Sequence, residues 1–189
     1  MRVRVLVPLF VAVALLATGC AGGEAASART LAPNPTAPGS NPAVTSTPPA
    51  AGPVPVTLKF TGTTLDGQPF DAASLAGRPV ILWFWAPWCA TCFGQGSTVA
   101  EVAKRYAGRV SIVGVAGLDK STMAMKDFVT EAEVGTITHL DDRAGALWKR
   151  FGIKEQSAFV MISRSGEVKQ TGYQDSVTLV DWAAYLDQH

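Results

Sequence analysis

A wholly apolar hexapeptide, Val80-Ile81-Leu82-Trp83-Phe84-Trp85, runs through Ala86-Pro87-Trp88 into Cys89-Ala90-Thr91-Cys92. That junction restricts the fold more than any other stretch. Six consecutive apolar residues leave no polar face for water, so the segment is expected to be a central strand covered on both sides. A helix is expected from Cys89 to about Tyr106, with Val99, Val102, Ala103 and Tyr106 on one apolar stripe and Glu101 paired with Arg105 on the wet side. Two thiols three positions apart share a helix face, so their sulfurs can close on each other. The first lies where the unpaired N–H groups and the dipole of a helix N-terminus stabilise an anion. Such a terminus contributes up to about 2 kcal/mol, enough to move a thiol from about 8.5 toward about 7. The residues alone therefore point to dithiol–disulfide exchange, with Cys89 as the attacking thiol and Cys92 as the resolving thiol. The competing readings are a passive disulfide or half of a zinc site. Zinc needs further ligands, and besides carboxylates only His139 and His189 are present.

Around that junction the remaining elements fall into order. Val56–Phe60 alternates like a half-buried strand, and Asp66-Gly67 marks a hairpin turn between Thr63–Leu65 and Gln68–Phe70. Val110–Val115 reads as a second buried strand. Met125, Phe128, Val129 and Ala132 mark an amphipathic helix that Asp119, Ser121 or Thr122 caps. A short helix carries Ala144, Leu147, Trp148 and Phe151, is capped by Asp141-Asp142 and stops at Gly152. Ala158–Ile162 and Val168–Thr171 form an antiparallel pair about Arg164–Glu167. A last helix starts at Asp175 or Ser176 and buries Leu179, Trp182, Ala183 and Leu186. This order implies an α/β fold: a mixed central sheet, helices on both faces and an N-terminal β-hairpin extension.

Charge is nearly balanced, 16 basic against 15 acidic residues, and no basic patch interleaves with aromatics, so no nucleic-acid partner is expected. The N-terminus reads as an export signal over residues 1–19. Arg2 and Arg4 precede an apolar run from Val5 to Ala17 that is too short to span a bilayer comfortably. Thr18-Gly19-Cys20 resembles the lipobox of bacterial lipoproteins, although Ala17 stands where a larger aliphatic residue is usual. The resemblance implies that Cys20 is acylated and becomes the mature N-terminus. Of the three cysteines, Cys89 and Cys92 then remain as a pair in an oxidising compartment. Residues 20–55 are rich in Pro, Ala, Thr and Ser and lack aromatics, which is the composition of an extended tether. The folded domain is expected over residues 56–189.

A Trp-Cys-x-x-Cys at a strand-to-helix junction within this order of elements resembles the thioredoxin superfamily. Trp83–Cys92, Val113–Asp119 and Phe151-Gly152-Ile153 are most similar to secreted actinobacterial disulfide oxidoreductases. The resemblance implies a thioredoxin-like fold and catalytic Cys89 and Cys92, with Pro87, Trp88, Ala90 and Thr91 forming the rim of the site. Three departures from the family pattern stand out. Trp83 stands where relatives carry a buried acid, and Gln95-Gly96-Ser97 stands where they carry Glu and a helix-bending Pro. The lost carboxylate should make Cys92 easier to ionise, while Gly94 and Gly96 weaken the helix locally. Finally, Ser157 occupies the place of the cis-proline that faces the cysteines in the family. A cis bond before a non-proline costs about 3–4 kcal/mol, so Gln156–Ser157 is expected to be trans, or cis under strain.

The expected protein is a lipid-anchored or secreted oxidoreductase at the extracytoplasmic face of the cell membrane. It would use no cofactor or metal and would oxidise or isomerise exported proteins that contain cysteine, with a membrane redox partner resetting the pair. A reductase for cytochrome c maturation is the first alternative. A metal-handling module is the second, and it requires His139 to converge on the two sulfurs.

Overall fold

The computed structural model describes residues 53–189; the expected export signal, Cys20 and most of the tether lie outside the described residues. Five strands form one sheet in the order β5-β4-β3-β6-β7: β3 (Val80–Trp85), β4 (Ser111–Ala116), β5 (Thr138–Asp141), β6 (Ala158–Ile162) and β7 (Val168–Tyr173). β3 pairs parallel with β4 and antiparallel with β6, so Trp83 stands beside Gly114 on one side and Phe159 on the other. Every residue of β3 is fully buried, as its unbroken apolar sequence requires.

The pleat of β3 divides the core in two. Ile81, Trp83 and Trp85 meet side chains of α1 (Ala90–Arg105), α2 (Thr122–Glu131) and α4 (Ser176–Gln188). Val80, Leu82 and Phe84 meet Leu147 and Trp148 of α3 (Ala146–Arg150), together with Leu58 and Ala72. Helices thus lie on both faces of a mixed sheet. Their starts follow the sequence: Ser121 caps α2 by accepting from the Ala124 N–H, and Asp175 caps α4 by accepting from the Thr178 N–H. Asp142 Oδ2 accepts from the N–H groups of Leu147 and Trp148 in α3, whereas Asp141 pairs with Arg143. Gly152 ends that helix region at φ 66°.

Two local expectations need correction. Val56–Phe60 is not a strand. Val56–Leu58 is a 3₁₀ turn, closed by N–H bonds from Leu58 to Pro55 and from Lys59 to Val56, and it buries Leu58 with no neighbouring strand to pair. The hairpin exists, but its strands are β1 (Thr61–Thr63) and β2 (Pro69–Asp71). Thr64 still donates its N–H to the Gln68 carbonyl across the hairpin at 2.8 Å, but Thr64 and Leu65 also turn to the edge strand β5. Thr64 bridges Leu140, and the Leu65 N–H donates to the His139 carbonyl at 2.9 Å.

Candidate active site

Cys89 is the N-cap of α1, in extended conformation at φ −88° and ψ 105°. Its sulfur accepts a hydrogen bond from the Cys92 N–H at 3.0 Å, the position where a capping oxygen would sit on a serine or aspartate. The approach to the cap is fixed by a turn in which the Cys89 N–H donates to the Ala86 carbonyl at 3.1 Å, with Pro87 and Trp88 between. Cys89 and Cys92 are joined as a disulfide, with their Cα atoms 5.3 Å apart. Only 5% of Cys89 is accessible and none of Cys92, so of the two residues only Cys89 borders solvent, and it is not the exposed first turn the sequence suggests. Ala90 and Thr91 point outward, and the exposed Trp88 ring is pinned by its Nε1–H to the Leu118 carbonyl at 3.1 Å.

Ser157 lies across this pair. Its peptide bond is trans, as every peptide bond is among the described residues, and its φ is +65°. An L-residue in that left-handed region costs about 1–2 kcal/mol, so the strain lies in the φ angle of Ser157 and not in ω. The hydroxyl oxygen is 3.2 Å from Cys89 Sγ and 3.2 Å from Cys92 Sγ. A groove of about 520 Å³ passes Ser157 and Thr91 and is bounded by Lys154, Glu155 and Tyr173.

The side chain that holds Ser157 in place is Gln95, which is buried one turn after Cys92. Its amide nitrogen donates to the carbonyls of Ser157 (3.3 Å) and Gln174 (3.0 Å), while its oxygen accepts from Trp83 Nε1 (3.0 Å). The two departures at Trp83 and Gln95 are therefore one feature. An ionised carboxylate at position 95 could take the indole N–H but has no hydrogen to give to two carbonyls. The sequence holds both residues but not their pairing, because they are twelve positions apart and meet only through the packing of α1 on β3. Gly96, read from sequence as a weak point, has a packing role. A Cβ there would lie 2.8 Å from the Ala132 carbonyl at the end of α2.

His139 sits deeper, on β5. Its Nδ1 accepts from Trp85 Nε1 at 3.2 Å and its Nε2–H donates to the Val134 carbonyl at 3.0 Å. Gly114 on the neighbouring strand makes room, since a Cβ there would run into the imidazole. Burial pushes the His139 pKa down from 6.5 to about 4 against the opposing pull of the Val134 carbonyl and the weaker one of Asp66, so the ring is neutral. Both ring nitrogens are engaged, and His139 does not converge on the sulfurs as the metal-handling alternative requires. No group of three or more His, Cys, Asp or Glu side chains is arranged to hold a metal among the described residues.

A cysteine pair closing at the mouth of a helix that leaves the central strand of a mixed sheet defines the thioredoxin-like class of dithiol proteins. Comparison with known proteins gives the same class. The Redoxin family profile matches residues 42–186, and the chain belongs to that family. The soluble secreted antigen MPT53 of Mycobacterium tuberculosis is 40% identical over 109 residues, which cover 58% of this chain and 61% of that protein. The chain thus spans about three-fifths of the length of this curated relative. A solved structure of M. tuberculosis DsbF, in mixed oxidised and reduced forms, shares 40% identity at a TM-score of 0.66 and is matched over 99% of its length and 71% of this chain. A secreted M. tuberculosis disulfide oxidoreductase, described as homologous to E. coli DsbE, shares 36% identity at a TM-score of 0.62, over 98% of its length and 69% of this chain. The fold is thioredoxin-like, as the sequence motif implies.

Proposed function

We propose that this chain is an extracytoplasmic thiol–disulfide oxidoreductase that oxidises or isomerises cysteine-containing exported proteins, with Cys89 and Cys92 as its catalytic pair. The observation that carries the reading is the Cys89 sulfur at the N-cap of α1, bonded by the Cys92 N–H and bridged to a fully buried partner. A backbone donor and the helix dipole both favour the anion at that sulfur, and the thiolate is the form that attacks and leaves in exchange. A client thiolate enters at Cys89, forms a mixed disulfide and expels Cys92. A second client thiolate then takes over the client's sulfur and expels Cys89. Pro87, Trp88, Ala90 and Thr91 form the rim, and the groove past Ser157 accommodates extended client chain.

Names of relatives support the compartment: one is a soluble secreted antigen and another a secreted disulfide oxidoreductase. The apolar N-terminus adds to that support for export; lipid on Cys20 as the anchor rests on the Thr18-Gly19-Cys20 resemblance alone, and a membrane redox protein would reset the pair. The test is the redox equilibrium of the Cys89–Cys92 pair against glutathione. An oxidising value is expected and fits disulfide introduction. A strongly reducing value transfers the chain to the cytochrome c maturation role, and a pair that does not exchange at all ends the catalytic reading.

A further inference from the structure

We propose that the Ser157 hydroxyl is a catalytic group of this exchange: a single O–H that hydrogen-bonds in turn to whichever of the two sulfurs carries the developing negative charge. The proposal rests on the oxidoreductase reading and adds a residue to it. Three observations support it. The hydroxyl oxygen is 3.2 Å from each sulfur, so a rotation about Cα–Cβ or C–O serves either without moving the backbone. Bridged sulfurs carry no hydrogen, so in either contact the donor is the serine, which gives its one hydrogen to one sulfur at a time. Ser157 is 6% exposed, which keeps water from taking over its role. A proline at this position, as in the family pattern, has no such hydrogen to give.

Placement of the hydroxyl depends on the backbone. Position 157 adopts φ +65°, a region that L-residues avoid because of their Cβ. It is kept there by the Gln95 amide on the Ser157 carbonyl, with the strand of β6 beginning immediately after. Strained backbone that aims a polar group at reacting atoms is a recognised mark of a functional site.

A client thiolate attacks Cys89 Sγ; the client–Cys89 bond forms, the Cys89–Cys92 bond breaks, and its electron pair stays on Cys92 Sγ, where the hydroxyl donates. The client's second thiolate attacks the client sulfur of the mixed disulfide; the client disulfide forms, and the electron pair of the broken bond stays on Cys89 Sγ. Cys92 takes up one proton as the hydroxyl turns to Cys89, so that only one sulfur is anionic at a time. The client dithiol loses two electrons, the enzyme pair gains them, and the client's thiol protons go to solvent. No proton leaves Ser157 at any stage. Charge-assisted bonds of this kind are the strong ones. They stabilise the reduced, anionic pair and make the disulfide more oxidising.

The experiment uses the full chain with Ser157→Ala and Ser157→Gly. The pH dependence of Cys89 alkylation is read by mass spectrometry of its own peptide, so that Cys20 does not interfere, and the exchange constant with glutathione is measured beside it. Both variants should raise the Cys89 midpoint by about one pH unit, or roughly tenfold less thiolate below the midpoint. Both should shift the exchange constant about tenfold toward the oxidised pair, about 30 mV. The glycine variant relieves the left-handed backbone while also lacking the hydroxyl. A shift in the alanine variant alone would therefore assign the effect to backbone strain and overturn the proposal. So would unchanged Cys89 titration in both variants beside a wild-type pair that exchanges normally. A wild-type pair that fails to exchange overturns the oxidoreductase reading, and this one with it.

Discussion

The two faces of β3 carry the same kinds of side chain and put them to different use. On the face toward α3, Val80, Leu82 and Phe84 pack into apolar surroundings; Phe84 meets Trp148 edge-on at 5.6 Å, and the Trp148 Nε1–H is buried with no acceptor among the described residues. On the face toward α1, both indoles have polar partners, Trp83 with Gln95 and Trp85 with His139. That second set continues through the Gln95 amide to Ser157 and from there to the sulfurs. One face supplies burial. The other fixes orientation, because hydrogen bonds are directional and dispersion contacts are not. Substitutions on the α3 face should therefore cost stability and leave the chemistry alone, whereas those on the α1 face should affect both.

The largest effect should come from Phe84→Ala. Phe84 is fully buried, and truncating such a ring costs about 3–5 kcal/mol. Denaturant unfolding should show that loss, while Cys89 alkylation keeps its wild-type midpoint in the fraction that remains folded. A shifted midpoint would mean that the two faces are not separate.

On the other face, acid should act through His139. Its folded-state pKa of about 4 lies below the ordinary 6.5, so between those values the unfolded chain binds more protons than the folded one. The stability gained by keeping the ring neutral is complete above about pH 6.5 and is lost as pH falls toward 4. At about 1.4 kcal/mol per pH unit the gap is worth about 3–4 kcal/mol. Urea midpoints across that range should fall accordingly, and the imidazole NMR signals of the folded chain should stay those of the Nε2–H form at pH 5.5. An imidazole that titrates near 6.5 in the folded state would contradict the buried Trp85–His139 bond.

Gln95→Leu should come next. It fills similar volume but leaves the Trp83 indole and the carbonyls of Ser157 and Gln174 without their partner. An orphaned buried group costs about 1–3 kcal/mol, and some of these carbonyls can turn to water, so a loss of about 2 kcal/mol is expected. The distinguishing readout is chemical. With its carbonyl free, Ser157 should leave the sulfurs, and the Cys89 midpoint should rise as it does when the hydroxyl is deleted.

How much of this was legible in the sequence follows the range of each interaction. The buried β3, the caps Ser121 and Asp175, the β6–β7 pair and the cysteine motif are local patterns, and each is where its residues put it. Val56–Phe60 misled because alternation over five residues suits a turn that buries Leu58 as well as it suits a strand. β5 has no signal in the sequence. Thr-His-Leu-Asp has no apolar period, and its ladder with β4 is possible only because Gly114 leaves space for the imidazole. In the site, the unusual residues Trp83, Gln95 and Ser157 were visible one at a time. That Gln95 joins the other two could not be read, since its partners lie 12 and 62 positions away and the contact depends on how α1 sits on the sheet.

The smallest effects expected are also the most discriminating, because they compare two faces of one helix. Gly94 and Gly96 both sit inside α1, where exchanging glycine for alanine gains about 1 kcal/mol in an unconstrained helix. Nothing lies within 4 Å of a Cβ at Gly94, so Gly94→Ala should be stabilising by up to that amount. At Gly96 the new methyl meets the Ala132 carbonyl at 2.8 Å, and that neighbour is backbone, which cannot rotate aside as a side chain would. Forcing an extra methyl into such a contact costs about 1–3 kcal/mol, which exceeds the propensity gain. Gly96→Ala should therefore be net destabilising by about 1 kcal/mol. Opposite signs in thermal unfolding would show that α1 is held on α2 by close approach at Gly96. If both substitutions stabilise, the helices do not approach as closely as described, and the route from Gln95 to Ser157 loses its rigid base.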